Sequence, residues 1–296
     1  MRTRIAVKYA AGTDVGLVRQ HNEDAYLASG PVFLVADGMG GHKAGDVAAA
    51  TALAAFSELT QDHLVEPSQL QKAVKRAARA VNGLPGVPAP GSTLTGLVLS
   101  ENGAMLCVRV LNIGDSRTYY QSKHGFEQIT KDHSQVQEQI DAGLISAEQA
   151  QHLPGRNVIT RALGAGCGPR VRADYFVLPA RVGDRYIICS DGLSSMVTDT
   201  LIEATAAVVS EPEGVVDALV KAARNAGGRD NISVIVVDIA AAYPPWEDDD
   251  LTHQNLPGTQ GWDYDPDAPT LDRSLPWRGG NEVASEQWSW MFKDNE

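Results

Sequence analysis

Four aspartates in this sequence stand at the ends of apolar runs. Asp37 follows Val32 to Ala36, Asp115 follows Met105 to Ile113 within NIGDSR, Asp191 follows Tyr186 to Cys189 within CSDG, and Asp230 precedes Ile232 to Ile239 within GGRDNIS. Short apolar runs of this kind read as buried strands. A carboxylate where a core strand stops is poorly hydrated and must be paired. Asp37 is followed by glycines at 38, 40 and 41, which let the backbone turn sharply and bring its carbonyl oxygens close to whatever the carboxylate holds. A hard cation satisfies both groups. A single Asp-Gly pair is most often a plain turn, so the recurrence carries the argument. Three of the acids close strands and one opens a strand, and in antiparallel pairing the carboxyl end of one strand lies beside the amino end of its neighbour. All four can meet at one sheet edge.

An all-oxygen set with no cysteine cluster and no H-E-x-x-H selects Mg²⁺ or Mn²⁺ over zinc. Two such ions bridged by a water lower its pKa, generate hydroxide at neutral pH and clamp the oxygens of an in-line displacement at phosphorus. A phosphate dianion also needs a fixed cation. Arg19, in the loop just before Asn22-Glu23-Asp24, is the candidate, because guanidinium matches phosphate oxygens in a bidentate fork. A phosphocysteine route is excluded: it needs Cys-x5-Arg, and the residues six beyond Cys107, Cys167 and Cys189 are Ile113, Ala173 and Ser195.

The elements that must position these groups are legible in outline. Strands are expected over residues 4–10, 25–28 and 32–36. An alanine-rich helix follows over 46–59, with Val47, Ala50 and Ala54 facing the sheet, and a second runs from Pro67 to about Val81. Ser92 to Ser100 and Met105 to Ile113 form a hairpin through Glu101-Asn102-Gly103. A strand over 117–121 precedes two short helices, 132–142 and 146–152, whose sparse apolar positions make them an inserted cover. Strands at 171–178 and 185–189, helices at 199–209 and 212–226, and a strand at 232–239 complete the body. Hairpin-linked strands between two groups of helices do not suit a parallel doubly wound sheet. They suit an α+β arrangement of antiparallel sheets with helices on the outer faces.

With 296 residues, 43% of them hydrophobic, the chain can bury a sizeable core. No run is long enough to span a membrane, and Met1 to Ala11 lacks the apolar centre of a secretory signal, so a cytoplasmic location is expected. The scattered cysteines read as core residues in a reducing compartment. Residues 243–296 hold 12 of the 37 acids and 3 of the 25 bases, which leaves the body nearly neutral and the tail acidic. No basic stripe is present, and nucleic-acid binding is disfavoured. The tail reads by composition as disordered, yet it carries all five tryptophans, Trp246, Trp262, Trp277, Trp288 and Trp290. A segment that docks on a protein partner or folds back on the body is the other reading.

In order and spacing, TDVGLVRQHNEDAY, VADGMGGHKAG, GSTL, NIGDSR, ITKDHS, RNVITRALG, CSDGL and GGRDNISVIVV resemble the motifs of the metal-dependent type 2C serine/threonine protein phosphatases in their bacterial form. The resemblance covers residues 4–240 and implies an αββα sandwich, two antiparallel sheets flanked by helices, with a two-metal centre at one end. It implies a catalytic domain over residues 1–242. Asp37, the carbonyl of Gly38, Asp191 and Asp230 match the positions that bind two metals, and Asp115 matches the acid that takes a weaker third together with Asp191. Glu23 and Asp24 match acids holding metal-bound waters, Arg19 matches the phosphate-binding arginine, and residues 132–165 match a mobile flap. The implied substrates are phosphoproteins, and the implied counterpart is a serine/threonine kinase.

Animal members have a histidine directly after the Asp-Gly pair, often assigned as the general acid; here that place is Met39. His42, three positions on, reads as a surface or capping residue. His133 is expected to position the flap rather than react, and Ser92 and Thr93 to be structural. Two other functions compete: a catalytically silent phosphoprotein sensor, which should have lost its metal acids, and a phosphatase of small molecules or of one regulator.

Overall fold

A computed structural model describes residues 4–40, 44–103, 105–150 and 158–243. In chain order its first half comprises β1 (Arg4–Asp14), β2 (Asp24–Ser29), β3 (Val32–Met39), α1 (Ala44–Ala54), α2 (Pro67–Asn82), β4 (Gly91–Ser92), β5 (Leu94–Asn102), β6 (Met105–Ile113), β7 (Arg117–Ser122) and β8 (Gly125–Gln128). The second half comprises α3 (Gln135–Asp141), α4 (Ala147–Ala150), β9 (Leu163–Gly164), β10 (Asp174–Pro179), β11 (Arg185–Cys189), α5 (Asp191–Ser194), α6 (Asp199–Val208), α7 (Pro212–Asn225) and β12 (Ile232–Tyr243).

The strands form two sheets. One has the order β1-β12-β11-β7-β8; the other runs β10-β6-β5-β3-β4-β9, with β2 added on β3. Every pairing in both is antiparallel. Their inner faces enclose one apolar core, including Phe33, Val35, Leu97, Val108, Ile188 and Ile235. A second core lies between the larger sheet and α1 and α2, and a third between the smaller sheet and α5, α6 and α7. The four layers are the αββα sandwich.

β3 runs through the middle of this stack because nothing in it asks for water: Val32 to Ala36 are fully buried. α2 begins where Pro67 sets the first turn and a capping box closes it, with the Gln69 side chain accepting from the Glu66 backbone N–H at 2.8 Å. Its buried residues, Leu70, Ala73, Val74, Ala77, Ala78 and Val81, follow the 3.6-residue period.

α1 departs from expectation in length and in facing. It ends at Ala54, and Ser57–Gln61 forms a separate 3-10 turn. Val47, Ala50 and Ala54 lie on the exposed side, and Gly45, Ala48, Ala49, Ala52 and Leu53 on the buried one. A helix that is alanine nearly all round carries almost no polar contrast, so periodicity cannot choose its face. The close seat of Gly45 on β3 chooses it instead.

Other elements differ at their edges. β12 continues past Ile239 to Tyr243, where it pairs with Arg4 of β1 across a bulge at Ala6 and Val7. The body therefore includes Tyr243, the first residue assigned above to the tail; the tryptophan-bearing remainder lies outside the described residues. The short β8, β9 and α5 are additions to the expected set. Strand 92–100 is interrupted at Thr93, which separates β4 from β5. α3 buries none of its residues, as expected of a cover. The end of the second flap helix, residues 151–152, lies outside the described residues.

Candidate active site

Asp24 and Asp37 face each other as cross-strand partners on β2 and β3. The interruption at Thr93 fixes the second of them. Thr93 N–H donates to the Asp37 carbonyl at 2.9 Å, and Thr93 Oγ1 accepts from Asp37 N–H at 3.0 Å. The same Oγ1 lies 2.8 Å from Ser116 Oγ, which ties the β3 end to the turn that carries Asp115.

Gly38 N–H donates to the Glu23 carbonyl at 3.1 Å. A Cβ on Gly38 would lie 2.0 Å from the Gly45 carbonyl oxygen, and one on Gly45 would lie 2.8 Å from Glu23 Cδ. Glycine is required at both places so that the first turn of α1 can rest directly on β3 and Glu23.

Asp191 begins α5 at the end of β11. Ser190, one residue earlier, joins the two sheets: its Oγ donates to Asp24 Oδ2 at 2.7 Å and accepts from Ser233 N–H at 3.0 Å. The Asp191 and Asp37 carboxyls lie close enough to perturb each other. Asp230 lies just before β12, where Arg19 Nη2 donates to its Oδ2 at 2.7 Å. Asn231 pins the preceding loop, donating through Nδ2 to the carbonyls of Val15 at 3.0 Å and His21 at 2.9 Å. Its Oδ1 accepts from Glu23 N–H at 2.8 Å.

Asp115 is 8% exposed, and its Oδ1 has no hydrogen-bond partner among the described residues. The turn that carries it is held by His133, whose Nδ1 accepts from Gly114 N–H at 3.0 Å and whose own N–H donates to the Gly114 carbonyl at 2.9 Å. With Nδ1 accepting, Nε2 carries the proton and donates to Asp174 Oδ2 at 3.0 Å. Asp174 also accepts from Arg161 Nη1 at 2.6 Å. His133 thus ties the entry and exit of residues 132–165 to the β6–β7 turn, a positioning arrangement. His42 lies outside the described residues.

The electrostatics are those of crowded acids. Burial, then the neighbouring carboxylates, push Asp115 up to about 8. Asp24 rises to about 7, chiefly through burial, with Ser190 and Ser233 hydrogen bonds working the other way. Asp37 is raised well above the usual carboxylate range by burial and by Asp24, Asp191, Asp115 and Asp230. Asp191 is raised by burial and by Asp230. Arg19 is raised mainly by its hydrogen bond to Asp230.

All the acids singled out in the sequence, with Arg19, thus lie in one another's fields at one end of the two sheets. Arg19 is engaged by Asp230, since a guanidinium beside an unneutralised acid takes the nearest anion. Among the described residues, moreover, no three His, Cys, Asp or Glu side chains by themselves form a group that could hold an ion. The orphaned Asp115 oxygen and the upward pKa shifts fit a hard cation, because both record negative charge that nothing in the protein compensates.

Ser190 and Asn231 lie inside the motifs CSDGL and GGRDNISVIVV, in which only the aspartates were singled out. Their only signal is adjacency, each standing next to a site aspartate. Gly192 shows how tightly Asn231 is packed. Its Cβ would lie 1.9 Å from the Asn231 carbonyl oxygen, so Gly192→Ala should cost about 2 kcal/mol of stability by overpacking. Urea unfolding of the purified variant measures the loss.

A family model described as "Protein phosphatase 2C" matches residues 14–225. The serine/threonine protein phosphatase PstP of Mycobacterium tuberculosis is 38% identical over 248 residues, covering 80% of this chain and 46% of that protein. The chain thus spans about half the length of that relative. The serine/threonine phosphatase stp of Listeria monocytogenes is 33% identical over 244 residues, 76% of this chain and 93% of the relative. A crystal structure of the PstP catalytic domain in complex with two manganese ions superimposes with a TM-score of 0.70 at 36% identity, covering 80% of this chain and all of that one.

Proposed function

Because the chain belongs to the protein phosphatase 2C family, we propose that it hydrolyses phosphoserine and phosphothreonine esters in proteins with the help of divalent ions. The observation that carries this reading is the single rim of mutually perturbed acids: Asp24 opposite Asp37, Asp37 in the field of Asp191, and Asp230 beside Arg19.

Asp37, the Gly38 carbonyl, Asp191 and Asp230 are the groups that would hold two Mn²⁺ or Mg²⁺ ions, and Asp115 with Asp191 a weaker third. Bound there, the ions supply positive charge to the phosphoryl oxygens and acidify a water for in-line attack. The protein's own groups do the rest. Arg19 exchanges its Asp230 partner for two oxygens of the phosphate, to which its fork is matched. Asp24, oriented by Ser190 Oγ, takes a proton from the attacking water, and Glu23 holds the solvent beside it. Met39 has no proton to give, so the departing alkoxide is protonated by water of the site. No covalent intermediate is required.

Phosphoproteins made by a serine/threonine kinase are the proposed substrates, in keeping with relatives that are serine/threonine phosphatases. Among the described residues no helix is long and apolar enough to cross a membrane; a cytoplasmic setting is part of the proposal, and of the three cysteines expected in the core Cys107 and Cys189 are buried whereas Cys167 is exposed. The test is phosphate release from phosphoserine and phosphothreonine peptides, alongside small phosphomonoesters, by the chelator-stripped full chain. Turnover should appear on adding Mn²⁺ or Mg²⁺ and disappear with chelator. Hydrolysis that resists chelation contradicts the reading, and turnover of small esters alone would replace it with a small-molecule phosphatase.

A further inference from the structure

Leu17 and Val18 are 58% and 66% exposed, although the loop that carries them is held at both ends. Asn231 Nδ2 grips the carbonyls of Val15 and His21, on either side of the pair. Leu17 N–H donates to the Gly228 carbonyl at 2.7 Å. Gly16, at φ +80°, lies so close to the following turn that a Cβ there would stand 2.3 Å from the Asp230 carbonyl oxygen. Two aliphatic side chains are thus held in water by a loop with little freedom to withdraw them.

Exposed aliphatics scattered singly need no explanation. What distinguishes this pair is its register with Arg19. Leu17 lies over Gly228, where a Cβ would come within 3.0 Å of its Cγ, and the Arg19 guanidinium lies on Asp230, two residues further along the same turn. Successive Cα atoms in a chain are about 3.8 Å apart. A peptide that brings its phosphate to Arg19 therefore carries the side chain one or two residues away to the level of Leu17 and Val18. The backbone beneath them is glycine at 16 and 228, and the next exposed side chain on the turn is Arg229, not an acid.

We propose that Leu17 and Val18 form a substrate shelf, which binds an apolar side chain of the phosphoprotein within two residues of the phosphorylated serine or threonine. The inference rests on the phosphatase reading and adds a sequence preference to it. Burying an aliphatic side chain of the substrate against this pair favours such substrates by about tenfold.

Two sets of phosphothreonine peptides decide the matter, identical except for leucine or serine at each of the two positions on either side of the phosphoresidue. The full chain with Mn²⁺ should favour leucine about tenfold in kcat/KM at one of these positions, chiefly through KM. In the double variant Leu17→Ser, Val18→Ser the leucine-to-serine ratio should fall to near one. Because the readout is a ratio within one protein, a general loss of activity does not imitate it. No preference in the wild-type chain, or a preference that survives the double substitution, overturns the shelf while leaving the phosphatase reading intact. A shift in tryptophan emission on making the double variant also overturns it, since every tryptophan lies beyond residue 245 and the chain's own tail would then be the occupant. No Mn²⁺-dependent turnover of any phosphopeptide removes the phosphatase reading, and the shelf with it.

Discussion

Asp191→Ala is expected to lower Mn²⁺-supported hydrolysis of a phosphopeptide by about a thousandfold or more, equivalent to about 4 kcal/mol of transition-state stabilisation. Asp191 stands at the junction of the rim: it lies in the fields of Asp37 and Asp230 and follows Ser190, which holds Asp24. Its removal would take one ligand from the proposed ion pair and one from the proposed third ion. The loss should fall mainly on kcat, because Arg19 and the proposed shelf still meet the substrate. The variant should nevertheless fold. Losing a carboxylate whose burial and neighbours oppose its charge relieves the metal-free protein, so its thermal midpoint in chelator should be no lower than that of the parent. Turnover within tenfold of the parent would sink the assignment of Asp191, and a large fall in the midpoint would mean that the lost activity reports misfolding.

A second large effect is expected from pH on the metal-free protein. The carboxyls of Asp24 and Asp115 sit at about 7 and about 8, raised from 3.8, chiefly by burial. Asp37 and Asp191 move in the same direction. Between the unfolded and folded values the folded state binds more protons than the unfolded one, so stability falls as pH rises. The full contribution is present below about pH 4 and is lost on passing through about pH 8. Each proton that only the folded state holds costs about 1.4 kcal/mol for every rise of one in pH, so the loss between pH 5 and pH 8 amounts to several kcal/mol. Divalent ions should abolish most of it, because they replace the protons as the partners of the carboxylates. Urea midpoints at pH 5 and pH 8, in chelator and in excess Mn²⁺, check both halves. A metal-free midpoint that is flat or rises over this range contradicts the crowded-acid description of the site.

Much of this protein could be read before any coordinates. Asp37, Asp115, Asp191 and Asp230 were legible because each interrupts an apolar run at its end, where an uncompensated carboxylate has no reason to be unless something holds it. The two antiparallel sheets with outer helices followed from hairpin chemistry at Glu101 to Gly103 and from helices grouped at two places in the chain. β3 and β11 announced themselves by the short apolar runs Val32 to Ala36 and Tyr186 to Cys189, the pattern of strands covered on both faces.

What the tertiary structure alone decided is which partner each polar group takes and which way an ambiguous helix turns. The facing of α1 could not come from an alanine-rich pattern without contrast; it is set by the contact of Gly38 with Gly45, two residues of no side chain. The engagement of Arg19 by Asp230, and of Asp24 by Ser190, joins positions more than 160 residues apart in the chain. Spacing along a sequence does not encode such distances. Ser190, Thr93 and Asn231 look in the sequence like ordinary small polar residues, and their roles arise only because buried hydrogen-bonding groups must find partners wherever the fold brings them.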